Sequence, residues 1–406
     1  MNIIGINAFH ADSSACLIID GKLISAVEEE RFNRIKHWAG FPIESIKYCL
    51  KESNLDLSDI DHISINIDPK ANYFKKILFL IKHRPSLKLI FNRLKKKKKY
   101  DSIRELINKE FEGSNFKGQI NNIEHHYAHL SSAFHVSPFE DSCILSVDGF
   151  GDFASTAWGY GKENEIKIDN KIHFPHSLGI FYQALTQFLG FKNYGDEYKI
   201  MGLAPYGKPT YVEQLRKILL IKTNGNFELN LDYFKFHKEN FNYRWENGKV
   251  EIEDLYSDKI KTLLGPERIK GEELTEFHKD MAHSIQKVYE EAFLNILNNL
   301  YEKYQNDNLC IAGGCGMNSV ANGKIKNNTK FNNIYIQPAA GDAGGAIGAA
   351  FATYYKNSNK KRTFKMNHAY WGTSFNNDQI FNCLKKNEKN IEDQKCSFKI
   401  ISDNNE

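Results

Sequence analysis

No stretch of this chain approaches the roughly 20 consecutive apolar residues that a bilayer-spanning helix requires, so no helical membrane span is expected. The opening residues, MNIIGINAFHADSS, have no basic region ahead of an apolar core and meet His and Asp early, so no secretory signal is expected. The seven cysteines include no CxxC and are odd in number, which suits a reducing cytoplasm better than a disulfide framework. Acidic residues are missing altogether from positions 70–99, which hold twelve Lys or Arg. Those twelve charges exceed the net +4, so the remaining residues sum to −8. Phe74, Ile77, Leu78 and Ile81 recur there at helical spacing, predicting a basic amphipathic helix within a helical insertion at about 70–115. It is either a solvated face or a contact for an anionic membrane surface or anionic glycan. Nucleic acid is not expected, because no aromatic stacking pattern accompanies the charges.

What is present is a globular composition, 41% hydrophobic and 13% aromatic over 406 residues, enough for two or three lobes with their own cores. The chain opens as a strand (IIGIN), a small polar loop, and two strands about Asp20-Gly21, a type I′ hairpin signal. A similar succession starts at Cys143: strand CILSV, loop DGFGDFAS, strand TAWGYG, turn, strand EIKI. This predicts two related α/β lobes, about 1–175 and 176–356, with a helix over 126–136 between the two hairpins. GEELTEFHKDMAHSIQKVYEEAFLNILNNLYEKY reads as one long amphipathic helix, followed by strand LCIAGG, helix MNSVANGKI, strand NIYIQP and a glycine-rich helix. Residues 357–406 read as a linker and the start of a further domain.

His125 and His129 are four apart, which on a helix puts both imidazoles on one face at chelating distance; a helix cap with surface histidines has the same spacing. His126 stands where the peptidase pattern HExxH needs Glu, so zinc proteolysis loses its general base. Asp148 ends an apolar strand beside Gly149 and Gly151, which suits either a metal-bound phosphate or a plain turn. Gly341, Asp342, Gly344 and Gly345 open a helix, where backbone N–H groups can approach a nucleotide. Gly313 and Gly314, with Asn318 on the next helical turn, form a second such junction; neither is a Walker A or GxGxxG motif. Lys199, in GDEYKIMGLAPYG, is placed to neutralise a phosphate or polarise a carbonyl. Arg31, Arg34, Lys36 and His37 form a cationic rim with one group that titrates near neutrality.

In order, GINAFHADSSACLI, EEERFNRIKH, EHHYAHLSSAF, VDGFGD, EYKIMGLAPYG, LLGPER, IAGGCGMNSVANGKI and PAAGDAGGAIGAA resemble the O-carbamoyltransferases of nodulation factors and antibiotics, over residues 3 to about 356. The resemblance implies a two-lobed actin-like (ASKHA, ribonuclease H-like) nucleotide-binding fold, similar to the tRNA threonylcarbamoyltransferase. It implies that His125, His129, Asp148 and Asp342 hold a divalent metal, iron first, with magnesium, manganese or zinc as alternatives. His10 to Ser14, including Asp12, and Asp148 to Asp152 would be the phosphate-binding turns, and the Asn318 and Asp342 segments would line the nucleotide. Carbamoyl phosphate and ATP would give a carbamoyl-adenylate, whose carbamoyl group passes to a hydroxyl of a sugar or other small acceptor.

Under that reading His37 is the base or carbamoyl orienter, His10 the second choice, and Lys199 offsets charge on the adenylate or oxyanion. Members of the family continue for some 200 residues into a domain that makes the adenylate. A donor supplied by that domain in trans, or a nucleotide-binding module without catalysis, is the competing expectation. A sugar kinase of the same fold would need a carboxylate base and no histidine pair.

Overall fold

Two sheets built to the same plan carry the molecule. The computed structural model describes residues 1–83, 103–111, 116–239, 243–246 and 249–401. In the first sheet, β1 (Asn2–Asn7), β2 (Ser14–Ile19) and β3 (Lys22–Glu28) run antiparallel, and β4 (His62–Ile65) and β5 (Gln119–Asn122) continue from β1 in parallel. Asp20 (φ 47°) and Gly21 (φ 80°) are both left-handed, as the expected type I′ hairpin turn demands.

The second sheet starts with β6 (Asp141–Gly151), β7 (Ala154–Lys162) and β8 (Glu165–His173), again antiparallel. After two small hairpins, β9 (Leu219–Ile221) with β10 (Phe227–Leu229) and β11 (Tyr243–Glu246) with β12 (Lys249–Ile252), come β13 (Asn308–Ala312) and β14 (Asn333–Ile336). β13 runs parallel to β6, and β14 to β13. The orders β3-β2-β1-β4-β5 and β8-β7-β6-β13-β14 are one pattern used twice, the duplicated unit of a two-lobed actin-like α/β fold.

The topology corrects the lobe boundary expected near 175. Cys143 of β6 is registered with Leu309 of β13, so the chain changes sheets between Asn122 and Asp141. Strand β6 also runs through the expected DGFGDFAS loop to Gly151, leaving Asp152 (φ 48°) and Phe153 (φ 72°) to turn the corner.

The helices that matter are α1 (Ile43–Glu52), α2 (Tyr73–His83), α3 (Ile103–Glu110), α4 (His125–Phe134), α5 (Leu178–Phe188), α6 (Glu197–Leu203), α7 (Glu276–Tyr304) and α8 (Asp342–Asn357). Ile4, Ile6, Leu17 and Ile63 pack against Ile46 and Leu50 of α1 and Ile103 and Ile107 of α3. Leu145 and Val147 do the same with Phe181 and Phe188 of α5 and Ile285 and Phe293 of α7. Between the sheets lie α4 and α8, touching one another, with α8 on β1, β2 and β4 and α4 on β6, β7 and β13.

That central packing requires glycine at two positions, one on α8 and one on β1. A Cβ at Gly348 would fall 1.7 Å from the carbonyl oxygen of Ala128, and one at Gly5 would fall 2.0 Å from that of Ala346. Helix α7 begins at Glu276, with Thr275 and His278 in a reciprocal cap, so Glu272 and Glu273 lie ahead of it. MNSVANGKI forms only short turns, Gly314–Met317 and Ser319–Asn322.

Of the basic insertion, α2 and α3 are described, and residues 84–102 and 112–115 lie outside the described residues. Residues 370–401 carry the helices Asn377–Lys386 and Glu388–Asp393, neither with a buried side chain. Among the described residues no helix is long and apolar enough to cross a membrane. All seven cysteines are free, and Cys16, Cys49, Cys143 and Cys310 are buried.

Candidate metal centre and its flanking histidine

Helices α4 and α8 begin at one point. The carboxylate of Glu124 accepts from the backbone N–H of Tyr127 and fixes the start of α4 at His125, and Asp342 is the first residue of α8. One turn of helix then brings His129 beside His125, their Nε2 atoms 3.0 Å apart. Asp148 Oδ2 is 3.0 Å from His125 Nε2 and 3.3 Å from His129 Nε2, and Asp342 Oδ1 is 3.5 Å from both. Both imidazoles are fully enclosed, so the surface-histidine alternative is overturned.

These distances suit a cation. Ligands about 2.1 Å from one ion lie about 3.0 Å apart in octahedral and about 3.4 Å apart in tetrahedral arrangements. Without an ion, two Nε2 atoms 3.0 Å apart cannot both point N–H groups at the same carboxylates without repulsion. Burial disfavours the imidazolium of His125, yet its hydrogen bond to Asp148 and the charges of Asp342 and Asp148 outweigh burial and hold its pKa up to about 10. Burial would raise Asp148, but its two histidine partners pull it well below the usual carboxylate range. The pocket demands positive charge, which one divalent ion supplies as well as two protons.

The predicted glycines divide by role. Gly314 N–H donates to Asp148 Oδ1 at 3.1 Å, and Gly313 (φ 89°) turns the chain so closely that a Cβ would meet Val147 O at 2.2 Å. A Cβ at Gly151 would sit 2.0 Å from the His125 ring, and one at Gly344 would sit 2.1 Å from Ala339 O. Gly341 precedes α8 as its N-cap. Gly149 alone in this set faces open space, with nothing within 4 Å of a built Cβ. Asn318 is buried in a reciprocal amide pair with Gln286 (3.1 Å each way) and caps the turn at Ala321. Ser14 Oγ donates to Ala343 O at 2.9 Å, tying β2 to the start of α8.

His126, between the two candidate ligands, is turned away and hydrogen-bonded to Ser146 Oγ at 2.9 Å. Burial pushes its imidazole down to about 3, so it stays neutral.

His37 belongs to a second cluster. Its Nδ1 donates to Asp12 Oδ1 at 2.7 Å and its backbone N–H to Glu30 Oε2 at 2.9 Å. Hydrogen bonding to Asp12 raises its pKa above 6.5 against the opposing pull of burial. Gly195 lies against His37 Nε2, 2.9 Å from a built Cβ, and the Tyr194 ring meets the His37 ring edge-on at 5.0 Å. Phe9, Asp12, Arg34 and His37 all have left-handed φ (62°, 59°, 62° and 54°), a concentration of backbone strain in these two loops. His10 stands nearer the four ligands, its ring 6.1 Å from that of His125.

Two of the expected cations already have acidic partners. Lys199 Nζ is paired with Asp196 Oδ1 at 2.7 Å and lies over the rings of Phe191 and Tyr198, so its charge is already matched. The cationic rim is neutralised in part, since Arg31 pairs with Glu28 (3.0 Å) and Glu30 (3.3 Å).

Sequence reasoning missed the specific parts of Asp152 and Tyr194. Asp152 Oδ2 accepts from His125 N at 2.9 Å and Asp68 N at 2.7 Å, joining the start of α4 to the first lobe. Its place in the second hairpin loop was visible, but its partners 27 and 84 residues away were not. Tyr194 carried no motif signal.

Residues 2–351 match the carbamoyltransferase N-terminus, and the chain belongs to the carbamoyltransferase family. It is 37% identical over 403 residues to the uncharacterized protein sll1178 of Synechocystis sp., covering 95% of this chain and 62% of that one. It is 34% identical to the nodulation protein NolNO of Sinorhizobium fredii over 92% of this chain and 50% of that one. The chain therefore spans between half and two thirds of the length of these relatives. Among solved structures, HypF of T. kodakarensis overlaps with a TM-score of 0.42 at 14% identity, covering 87% of this chain and 47% of that one. Component A of the Acidaminococcus fermentans (R)-2-hydroxyglutaryl-CoA dehydratase also overlaps with a TM-score of 0.42, at 11% identity, over 88% of this chain and 98% of that one.

Proposed function

We propose that this chain is the transfer module of an ATP-dependent O-carbamoyltransferase, moving a carbamoyl group from carbamoyl-adenylate to a hydroxyl of a sugar or other small acceptor. The observation that carries the proposal is the convergence of His125, His129, Asp148 and Asp342 on one buried point within the matched region. These four would hold a divalent ion, iron first as the family resemblance implies, with manganese, zinc or magnesium as alternatives that two imidazoles and two carboxylates also suit. When bound, it supplies Lewis-acid stabilisation for phosphate oxygens.

The chain's own residues do the rest. Gly149 leaves room for phosphate oxygens beside β6, together with the turn at Asp12 to Ser14. His37, oriented through Nδ1 by Asp12, presents Nε2 to the acceptor and takes its hydroxyl proton. The acceptor oxygen forms a bond to the carbamoyl carbon, the bond from that carbon to the adenylate oxygen breaks, and AMP leaves with the electron pair. Glu30 holds the His37 backbone, and His10 orients the donor. Lys199 acts through Asp196, whose Oδ2 accepts from Asn193 and so keeps the Gly195 turn against His37.

A second reading has the activated donor supplied in trans. It draws on the lengths of the relatives, which extend well beyond the residues matched here. The two readings part in one assay: the chain is given either preformed carbamoyl-adenylate or carbamoyl phosphate with ATP, plus nucleotide sugars, and carbamoylated product is followed by mass. Product from the preformed donor alone supports the transfer module with donor in trans; product from both means the chain also makes the adenylate. No product from either, with metal bound, overturns the transferase proposal.

A further inference from the structure

Helix α2 (Tyr73–His83) presents its apolar side to solvent. Of its large apolar side chains only Phe79 is buried, edge-on against the rings of Phe153 (5.7 Å) and Phe174 (4.9 Å). Phe74, Leu78 and Ile81 are 80%, 58% and 68% exposed. At about 100° per residue, the exposed run of Tyr73, Phe74, Leu78, Leu80 and Ile81 covers an arc of about 160°, centred opposite Phe79. Lys75 and Lys82 flank one edge of that arc. On the other edge Lys76 Nζ donates to Pro69 O at 3.0 Å. No acid occurs in this helix or anywhere else in positions 70–99.

We propose that this face docks on an anionic phospholipid bilayer, with α2 lying in the interface. An arc this wide, flanked by lysines whose stems can reach up to headgroups, is the pattern of an interfacial helix. Among the described residues no helix is long and apolar enough to cross a membrane, and α2 carries Lys75, Lys76 and Lys82, so we take it to rest on the surface, anchored to the protein through Phe79. The complementary charge comes from Lys75 and Lys82 on a helix that holds no acid, each cation near an anionic surface adding to the attraction. The inference is independent of the transfer chemistry.

The test uses the full chain and two kinds of vesicle, phosphatidylcholine alone and phosphatidylcholine mixed equally with phosphatidylserine. The chain is expected to co-sediment with the anionic vesicles, less so as salt rises, and weakly with the neutral ones. The triple variant Phe74→Ser, Leu78→Ser, Ile81→Ser keeps every cation and the buried Phe79, and its fold is checked by thermal melting. It is expected to lose vesicle binding by about ten-fold or more. Lys75→Glu with Lys82→Glu is expected to weaken binding to the anionic vesicles only. Absence of wild-type binding at low salt, or equal binding by the triple variant, overturns the proposal. A wild-type dimer that the triple variant converts to monomer, with no vesicle binding by either, also overturns it and assigns the face to a second copy of the chain.

Discussion

His37 and Asp12 face each other across two strained loops, Nδ1 to Oδ1 at 2.7 Å, with both residues at left-handed φ. The pair orients one ring nitrogen and leaves the other beside Gly195, the arrangement of a general base held by a carboxylate. Because Asp12 raises the His37 pKa, His37 in its proposed role as base would be fully available only above that raised value. Replacing Asp12 by Asn is therefore expected to move the acidic limb of the pH–rate profile to lower pH, while slowing transfer at the plateau about ten-fold or more. For stability the sign is opposite. The raised pKa means that the pair stabilises the fold below 6.5 and that this contribution fades as pH rises through the raised value. His37 is partly exposed, so the effect is small, below about 1 kcal/mol. An unmoved acidic limb in Asp12→Asn would assign the titration to another group.

If the four residues hold a metal as proposed, removing one imidazole should empty the site. His129→Ala leaves His125, Asp148 and Asp342, and is expected to cost at least about 100-fold in metal affinity. Metal content after dialysis, by elemental analysis, is the readout. Nucleotide turnover should fall in parallel.

Gly151 and Gly149 should separate metal from phosphate. Gly151→Ala places a methyl 2.0 Å from the His125 ring and should displace it, lowering metal content in a protein that still folds. Gly149→Ala meets nothing within 4 Å, so metal content should be unchanged while nucleotide affinity weakens. Equal metal content in both variants would contradict the assigned roles.

Gly348→Ala tests the packing between the sheets. Its methyl would lie 1.7 Å from Ala128 O, backbone that cannot step aside cheaply. Destabilisation of about 2–3 kcal/mol or more is expected, read as a fall in denaturation midpoint.

Local patterns and motifs carried much of this in the sequence. The Asp20-Gly21 hairpin was legible because type I′ turns need those residues, and His125 with His129 because helix geometry brings positions four apart together. The lobe boundary was not, since the β6–β13 pairing spans more than 160 residues and leaves no local trace. The pairing of Lys199 was hidden for a related reason: a lysine in an acidic, glycine-bounded segment looks available until its Asp196 partner is seen. The Gly151 and Gly344 positions read as nucleotide loop because close packing and ligand approach select the same residue.

The central claim is that the chain transfers a carbamoyl group with His37 as base, and single-turnover transfer from preformed carbamoyl-adenylate tests it most directly. Wild type and His37→Asn, both shown to hold metal, are mixed with donor and an accepting nucleotide sugar, and product is counted by mass. The account predicts transfer by wild type and a loss of about 100-fold or more in His37→Asn, with donor binding retained. Equal transfer by the two proteins would contradict it.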